Sequence, residues 1–285
     1  MKFPFLAQRL FNTPLAITPG KAEVIMAALA ERMGIAQMQR SVSMMDDDDY
    51  DYTGPGDNPR TGYDVVAGTA IVPVAGTLVQ KLGTLRPYSG MTGYDGIRQN
   101  FLTALADPKV KAIVLDVDSP GGEVAGCFDL VDTIYKARGT KPVRAILNEA
   151  AYSAAYAIAS AADSIYVPRT GGTGSIGVIW MHMDWSKALD AAGFKVTFVT
   201  YGDSKADGHP EIELSPEAYA RFKAQIDSMG ELFVETVARN RDIPASQVRA
   251  TQAATYMGAA GVSQGLADGV MAPDAAFRAL LADIN

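Results

Sequence analysis

Residues 112–122 read AIVLDVDSPGG, an apolar β-rich run that ends in a polar turn with two adjacent glycines. Apolar residues at helical spacing precede this run over residues 94–105, and Asp107-Pro108 predicts where that helix stops. A strand that follows a helix and leads into a glycine turn is typical of an alternating β/α chain. The stretch therefore predicts one strand of a largely parallel sheet.

The same alternation extends in both directions along the chain. Upstream, residues 65–79 predict two short strands that break near Gly68 and Pro73. The elements predicted downstream are a helix over residues 124–134, a strand over 143–147, a helix of small residues from Ser153, strands over 164–167 and 195–200, and a long helix from Ser215-Pro216. This order predicts an α/β fold with right-handed crossovers.

Composition narrows the class of protein. The 285 residues suffice for one large domain, or for one domain with an appendage. The 25 basic and 32 acidic residues give a net charge of −7, so nucleic acid is not an expected partner. Cys127 is the only cysteine, which excludes an internal disulfide and a cysteine-ligated metal site. No apolar run is long enough for a signal peptide core or a membrane span, so we expect a soluble protein.

The first ordered element is predicted to be a small amphipathic helix. Thr18 is a candidate N-cap, and Pro19 suits the first helical position. Ile25, Leu29 and Met33 follow at four-residue spacing and form one apolar side. We interpret this helix as an arm that docks on a partner and is dispensable for the fold of the main domain.

A polar segment separates this arm from the rest of the chain. Residues 46–59 combine four consecutive aspartates with glycines and prolines. This composition favours a solvated tether over a metal or partner site. We therefore expect a helical arm over residues 1–40, an acidic flexible linker over 41–62 and the main domain over 63–285.

Two segments place serine and glycine where a parallel sheet carries its sites, after the carboxyl ends of strands. Residues 118–122 offer paired glycines and N–H groups ahead of a helix, which suit a negative charge or simply form a tight turn. Residues 148–156 contain Ser153 at a predicted helix start. Such a serine is either a nucleophile or a small residue that allows close helix packing. Both interpretations stay open for each segment on these residues alone.

A serine nucleophile needs a base, and three side chains are candidates. Lys205 lies in a glycine-rich loop over residues 202–208. Burial would let it hold a neutral amine that takes the proton of a serine hydroxyl, which a solvated lysine cannot do at neutral pH. His182 and His209 are the only histidines, and their contexts are more typical of structural or solvated side chains. We therefore prefer Lys205 as the base.

Four segments, taken together and in order, carry a resemblance to a known family. They are residues 119–122 (SPGG), the helix start at Ser153, residues 173–177 (TGSIG), and the Lys205 loop before Ser215-Pro216. The set resembles the signal peptide peptidase A family of Ser/Lys serine peptidases, within the ClpP/crotonase-like superfamily. The resemblance covers about residues 63–270. Within the family, residues 12–15 and 85–94 are most similar to the head-maturation proteases of tailed bacteriophages.

The resemblance implies a ClpP/crotonase-like spiral of β-β-α units and a serine endopeptidase with a Ser/Lys dyad. Ser153 would be the nucleophile, Lys205 the general base, and Ser175 the residue that holds the lysine amine. Backbone N–H groups of Gly121 and Gly122 at the SPGG turn, and of Ser153 itself, would form the oxyanion hole. Neither a cofactor nor a metal is implied.

The implied partners are polypeptide substrates: scaffold, portal and capsid proteins and the enzyme itself. We also expect a homo-oligomer, from the apolar face of the helix over residues 216–239 and from relatives that form rings. The implied location is the host cytoplasm, within the assembling procapsid and without a membrane partner. Two alternatives stay open, namely a crotonase-type acyl-CoA enzyme and a catalytically inert capsid-assembly protein.

Overall fold

The computed structural model describes residues 13–30 and 61–284, where strands and helices alternate. The strands are β1 (Leu15–Ile17), β2 (Asp64–Val66), β3 (Thr69–Val79), β4 (Met91–Gly93), β5 (Ala112–Glu123), β6 (Val143–Ala151), β7 (Ser164–Val167), β8 (Gly172–Gly174), β9 (Thr255–Met257) and β10 (Gly269–Val270). The helices are α1 (Pro19–Ala30), α2 (Tyr94–Ala106), α3 (Cys127–Lys136), α4 (Ala154–Ser160), α5 (Ser186–Ala191), α6 (Pro216–Arg241), α7 (Ala245–Ala250), α8 (Ala259–Ser263) and α9 (Pro273–Ile284). The predicted α/β class is confirmed.

The sheet is built around parallel central strands. Its order is β10-β7-β6-β5-β3-β2, and the four pairs from β10 to β3 are parallel, whereas β2 is antiparallel to β3. β1 adds to the last residues of β5 in antiparallel orientation, and β8 joins β6 to β9. Parallel neighbours bring the carboxyl ends of β5 and β6 to the same edge, which is where the candidate site lies.

β5 is buried on both faces because helices cover both sides of the sheet. Ile113, Leu115 and Val117 point into the main core, which α2, α3, α4 and the second half of α6 complete. Ala112 and Val114 point to the opposite face and pack against α9. The alternation of side chains along a strand sends successive residues to opposite faces. This is why residues 112–117 form a nearly continuous apolar run.

Predicted helix boundaries are confirmed where the sequence carries capping signals. α1 begins at Pro19, directly after Thr18. α6 begins at Pro216, and the Ser215 hydroxyl accepts a hydrogen bond from the Ala218 N–H at 3.1 Å. A side-chain oxygen that satisfies a first-turn N–H fixes a helix start locally. Met33 and the four aspartates of the predicted linker lie outside the described residues.

The predicted turn over residues 118–122 is wrong. β5 continues through these residues to Glu123, and α3 begins only at Cys127. Ladder irregularities beside Gly76 and Asp118 absorb the bend, so the chain stays in the sheet. The physical reason is that strands on both sides of Gly122 supply hydrogen-bond partners, which local sequence does not reveal.

The strand predicted over residues 195–200 is also wrong. These residues form no strand and are largely exposed, and the Val199 side chain is 96% accessible to solvent. Alternating apolar residues become a strand only where a neighbouring strand edge accepts them. Among the described residues, no strand of the sheet pairs with residues 195–200.

The amino-terminal arm does not stand apart from the main domain. Leu15, Ala16 and Ile17 of β1 are buried, and β1 pairs with residues 121–123 of β5. Ala22 of α1 packs in the same small apolar cluster as Leu15 and Ile17. The expectation of a separate arm is therefore wrong for these residues, because their partners lie about a hundred positions away in the sequence. The boundaries of the domains stay predictions.

The second half of α6 packs into the main core, and the first half packs only in part. Phe233 is buried in the main core. In the first half, Ala218 is buried and the Phe222 ring stacks on Trp180 with centroids 4.1 Å apart, whereas Tyr219 is 58% exposed. Among the described residues, no helix combines the length and the apolar character needed to cross a bilayer.

Asp116 is a partly buried carboxyl on the α9 side of β5. Burial and the nearby Asp118 carboxylate raise the pKa of Asp116 to about 6. A hydrogen bond from the Asn148 amide acts in the opposite direction and lowers this pKa. The folded protein therefore holds a proton that the unfolded chain releases near pH 4. Ionisation of Asp116 consequently opposes folding. The part of the free energy of unfolding that depends on Asp116 therefore falls as pH rises from about 4 to about 6.

We expect Asp116→Asn to raise the free energy of unfolding by about 1–2 kcal/mol at pH 7.5, since a shift of two units is worth up to about 3 kcal/mol before solvent screening. The gain should be much smaller at pH 4.5, where the native carboxyl is protonated. Urea denaturation at both values measures this. Asp190→Asn, at an exposed carboxylate of α5, is the control and should change little. An equal gain at both pH values would contradict the assignment.

Candidate active site

Ser153 sits in a strained turn between β6 and α4. It is the N-cap residue of α4, with φ 54° and ψ −122°, and it is fully buried. A residue other than glycine rarely adopts this left-handed backbone, which costs on the order of 1–3 kcal/mol. The Ser153 N–H donates to the Gly174 carbonyl at 2.9 Å, which holds the turn in place. A serine forced into such a strand-to-helix turn has the geometry of a nucleophile.

The end of β5 passes directly beside Ser153 because glycines leave room for it. A Cβ on Gly121, whose φ is +103°, would lie 2.9 Å from the Ser153 Cβ and 2.2 Å from the Ala16 oxygen. A Cβ on Gly122 would lie 1.8 Å from the Leu78 carbonyl oxygen. Real Cβ atoms do not approach so closely, so both positions exclude a side chain. The structure thus brings the two predicted oxyanion glycines against the predicted nucleophile.

Two of the three predicted oxyanion N–H groups already have acceptors. The Gly121 N–H donates to the Ser119 hydroxyl at 3.1 Å, and the Ser153 N–H donates to Gly174. Gly122 pairs with Ala16 of β1, so the backbone N–H of Gly122 points toward β1 and the groove beside Ser153. Of the three predicted oxyanion N–H groups, that of Gly122 is therefore the one directed at the groove.

The segment TGSIG forms the other wall beside Ser153. Ser175 directly follows the Gly174 carbonyl that holds Ser153, is itself at φ 55°, and is only 6% exposed. Its N–H donates to the Ala254 carbonyl at 2.9 Å. The Ser153 hydroxyl lies 3.5 Å from the Gly177 carbonyl oxygen. The third predicted site residue, Ser175, is therefore adjacent to the nucleophile.

The predicted burial of Lys205 does not occur in the single chain. Lys205 lies in an exposed turn, and its amine has no hydrogen-bond or ion-pair partner among the described residues. Two hydrogen bonds from the Arg221 guanidinium to the Asp207 carboxylate, 2.7 and 2.9 Å long, tie this turn to α6. The structure thus joins Ser153, Ser175 and the glycines but leaves Lys205 outside the site.

The other reactive side chains are engaged elsewhere. His209 forms an ion-pair contact with Glu211, and His182 stacks on Trp180 with ring centroids 5.7 Å apart. Burial raises the pKa of the Cys127 thiol to about 12, so a thiolate nucleophile is not available at neutral pH. Within residues 13–30 and 61–284, no three histidine, cysteine or acidic side chains cluster as a metal site would require.

Sequence reasoning missed two contributors to the site. The buried Ser119 hydroxyl donates to the Gly76 carbonyl at 2.7 Å and accepts from Gly121, so it fixes the bend of β5 beside Ser153. Its position before Pro120 and two glycines was a usable signal. β1 is the other contributor, and three apolar residues are too short a pattern to identify a strand.

Residues 136–284 match the sequence model of Peptidase family S49, which is more than half of the chain. The chain belongs to peptidase family S49. This confirms the resemblance to serine peptidases that the SPGG, Ser153 and TGSIG segments predicted.

Three relatives show where the chain lies within family S49. It is 39% identical over 282 residues to the head-tail preconnector protein GP5 of Enterobacteria phage P21, covering 96% of this chain and 56% of that protein. It is 38% identical over 273 residues to capsid assembly protease C of Escherichia phage lambda, covering 93% and 62%. A putative signal peptide peptidase SppA of Enterococcus faecium is 31% identical over 178 residues, covering 60% and 51%. The chain therefore spans little more than half the length of these phage relatives.

A mutant ClpP1 from Listeria monocytogenes is a similar solved structure, with a TM-score of 0.42 and 13% identity over 70% of this chain and 90% of that one. The predicted α/β class agrees with the parallel sheet described above.

We expect Ser153→Gly to be more stable than Ser153→Ala by about 1 kcal/mol. Glycine relieves the strain of φ 54°, worth about 1–3 kcal/mol, and loses about 0.5–1 kcal/mol of that through the greater entropy of the unfolded chain. Both variants lack the hydroxyl, so they form a matched pair that isolates the backbone. Urea denaturation followed by circular dichroism measures the difference. A Ser153→Gly protein that is less stable than Ser153→Ala by about 0.5–1 kcal/mol would mean that the turn carries no strain.

Proposed function

We propose that this S49 family member is a serine endopeptidase in which Ser153 is the nucleophile and Lys205 the general base. The strained Ser153 turn, with Gly121 on one side and TGSIG on the other, is the observation that carries the proposal. A buried serine needs no strain to pack. Backbone strain at a buried serine that starts a helix after a strand, between two glycine-rich segments, is instead typical of a nucleophile held in a fixed geometry.

The proposed reaction follows from the groups around Ser153. The neutral Lys205 amine takes the hydroxyl proton as Ser153 Oγ attacks the scissile carbonyl carbon. The Gly122 N–H stabilises the developing oxyanion. The C–N bond then breaks, the leaving amine takes the proton from Lys205, and water hydrolyses the acyl-enzyme by the same route. Ser175 holds the lysine amine when Lys205 is in the site.

Lys205 reaches Ser153, in this proposal, when copies of the chain assemble. Val199 and Tyr201 are exposed apolar side chains next to the Lys205 turn. Tyr219, near the start of α6, is exposed as well. An exposed lysine on an apolar surface becomes buried once that surface is covered. We therefore infer a homo-oligomer in which Lys205 of one copy serves Ser153 of another.

The substrates in this proposal are scaffold, portal and capsid proteins, cut while a phage head matures inside the host cell. The support is the 38% identity to a capsid assembly protease, over 93% of this chain. Membership of family S49 favours a peptidase over the acyl-CoA alternative. The inert alternative predicts that a fluorophosphonate, which reacts with activated serines, leaves Ser153 unlabelled.

We expect Ser153→Ala and Lys205→Ala each to lower cleavage of the cognate scaffold protein by about 10³-fold or more, because nucleophile and base act as a unit. Gel analysis and mass spectrometry of the products measure this. His182→Ala and His209→Ala are the matched controls and should remain active.

Mixing the two inactive variants tests the shared site. Assembled Ser153→Ala with Lys205→Ala should regain cleavage, because some interfaces then combine an intact Ser153 with an intact Lys205. No recovery in a mixture that light scattering shows to be co-assembled would place both residues of the dyad in one chain. Full activity of Lys205→Ala, with loss in a histidine variant, would overturn the Ser/Lys assignment.

A further inference from the structure

β1 lies in the groove beside Ser153, where an extended substrate would have to bind. We propose that residues Leu15–Ile17 occupy the substrate groove of the active site and compete there with polypeptide substrates. The proposal rests on the function proposed for Ser153 and adds an occupant, which is a segment of this same chain.

Both edges of β1 are hydrogen-bonded. On one side, the Leu15 N–H donates to the Ile179 carbonyl at 2.9 Å, and the Ile179 N–H donates back at 2.8 Å. On the other side, β1 is antiparallel to residues 121–123 of β5. The groove therefore has two walls of backbone, and β1 fills it as an added strand. This is how proteins commonly bind extended peptides.

The register places the Ala16 carbonyl on the Gly122 N–H. The Thr18 N–H donates to the Pro120 carbonyl at 3.0 Å, and the Val124 N–H donates to the Pro14 carbonyl at 3.3 Å. Hydrogen-bonded pairs alternate along an antiparallel ladder, so the pair midway between these two, Ala16 with Gly122, is also hydrogen-bonded. The Ala16 oxygen thus accepts from the one predicted oxyanion donor that faces the groove.

The same carbonyl lies next to the nucleophile. A Cβ atom placed on Gly121 would lie 2.2 Å from the Ala16 carbonyl oxygen and 2.9 Å from the Ser153 Cβ. The same atom would lie 3.1 Å from the Ile17 Cα. The peptide bond between Ala16 and Ile17 is therefore beside Ser153, as the scissile bond of a substrate would be.

The side chains of β1 fit the groove in an alternating pattern. Ala16 points into the main core and is 1% exposed. Leu15 and Ile17 point the other way and pack with Ala22 of α1 and with Ile179. A small residue at position 16 and the clamp of α1 over its neighbours keep β1 in place. A substrate strand can bind only after β1 has left.

Competition within one chain lowers the apparent affinity for any free peptide. The site is available only in the fraction of molecules whose β1 has left, so the apparent Kd rises by the inverse of that fraction. A tethered strand also has a high effective concentration at its own groove. Residues 14–18 thereby keep the site closed until assembly or a substrate displaces them.

Peptide binding tests the proposal without relying on catalysis. The probe is a fluorescein-labelled peptide of residues 12–21, NTPLAITPGK. In a full-length Ser153→Ala background, Ala16→Trp places a bulky side chain where no space exists and should release β1. Val24→Trp, at an exposed position of α1, is the matched control. We expect the Ala16→Trp protein to bind the peptide about tenfold more tightly than the control, by fluorescence anisotropy.

A second variant and a second readout make the result decisive. Leu15→Pro removes the N–H that donates to Ile179 and should act like Ala16→Trp. Equal peptide affinity in the released and control proteins would overturn the proposal. Unfolding of both released variants would overturn it as well, because a strand that must leave for catalysis cannot be essential to the fold.

Hydrolysis separates this proposal from the proposed function. With Ser153 intact, the Ala16→Trp protein should cleave the peptide with a higher kcat/KM than the Val24→Trp protein. Tighter binding with no hydrolysis by any variant, in samples that light scattering shows to be assembled, would retain β1 as the occupant of the groove and defeat the peptidase assignment. Hydrolysis at equal rates, with equal binding, would retain the peptidase and defeat the role of β1.

Discussion

The packing of β5 against the Ser153 turn is the constraint on which the site depends. The turn exists because the Gly174 carbonyl accepts the Ser153 N–H and because Gly121 has no side chain to fill the space beside it. A single added carbon on Gly121 would strike both Ser153 and the strand β1. The proposed nucleophile, the proposed oxyanion donor and the groove therefore share one close backbone contact, which glycine alone permits.

This contact is held by parts of the chain that are far apart in sequence. The Ser119 hydroxyl bonds to the Gly76 carbonyl and the Gly121 N–H, so β3 sets the bend of β5. Ser175 is anchored by the Ala254 carbonyl, so the segment before β9 positions the wall opposite β5. Preorganisation of this kind costs backbone strain at Ser153 and Ser175, and the surrounding sheet offsets that cost.

The candidate site and the proposed base, Lys205, lie in different environments. Ser153 and Ser175 are buried by the chain's own sheet and helices, whereas Lys205 lies on a turn next to exposed apolar residues. The same surface includes the exposed Tyr219 of α6 and residues 195–200, which follow a strand-like pattern without a strand to pair with. Association of copies through this surface would give each of these features a partner.

Local sequence determined the elements whose ends depend on neighbouring residues. Thr18-Pro19 and Ser215-Pro216 placed two helix starts, and the run over residues 164–167 placed a whole strand, because caps and apolar periodicity act within a few residues. Through the resemblance that they carry, the ordered serine and glycine segments also pointed to Ser153, Ser175 and the paired glycines. The structure places these residues side by side, and their catalytic roles stay a proposal.

Tertiary structure decided what depends on partners distant in the chain. Residues 118–122 look like a turn yet belong to a strand, because β1 and β3 bond to Gly122 from both sides. Residues 195–200 look like a strand yet form none, because no strand of the described sheet pairs with them. β1 itself carries no signal, since three residues become a strand only when Gly122 and Ile179 stand on either side of them. Pairing across a hundred residues is a property of the folded chain, and no local pattern encodes it.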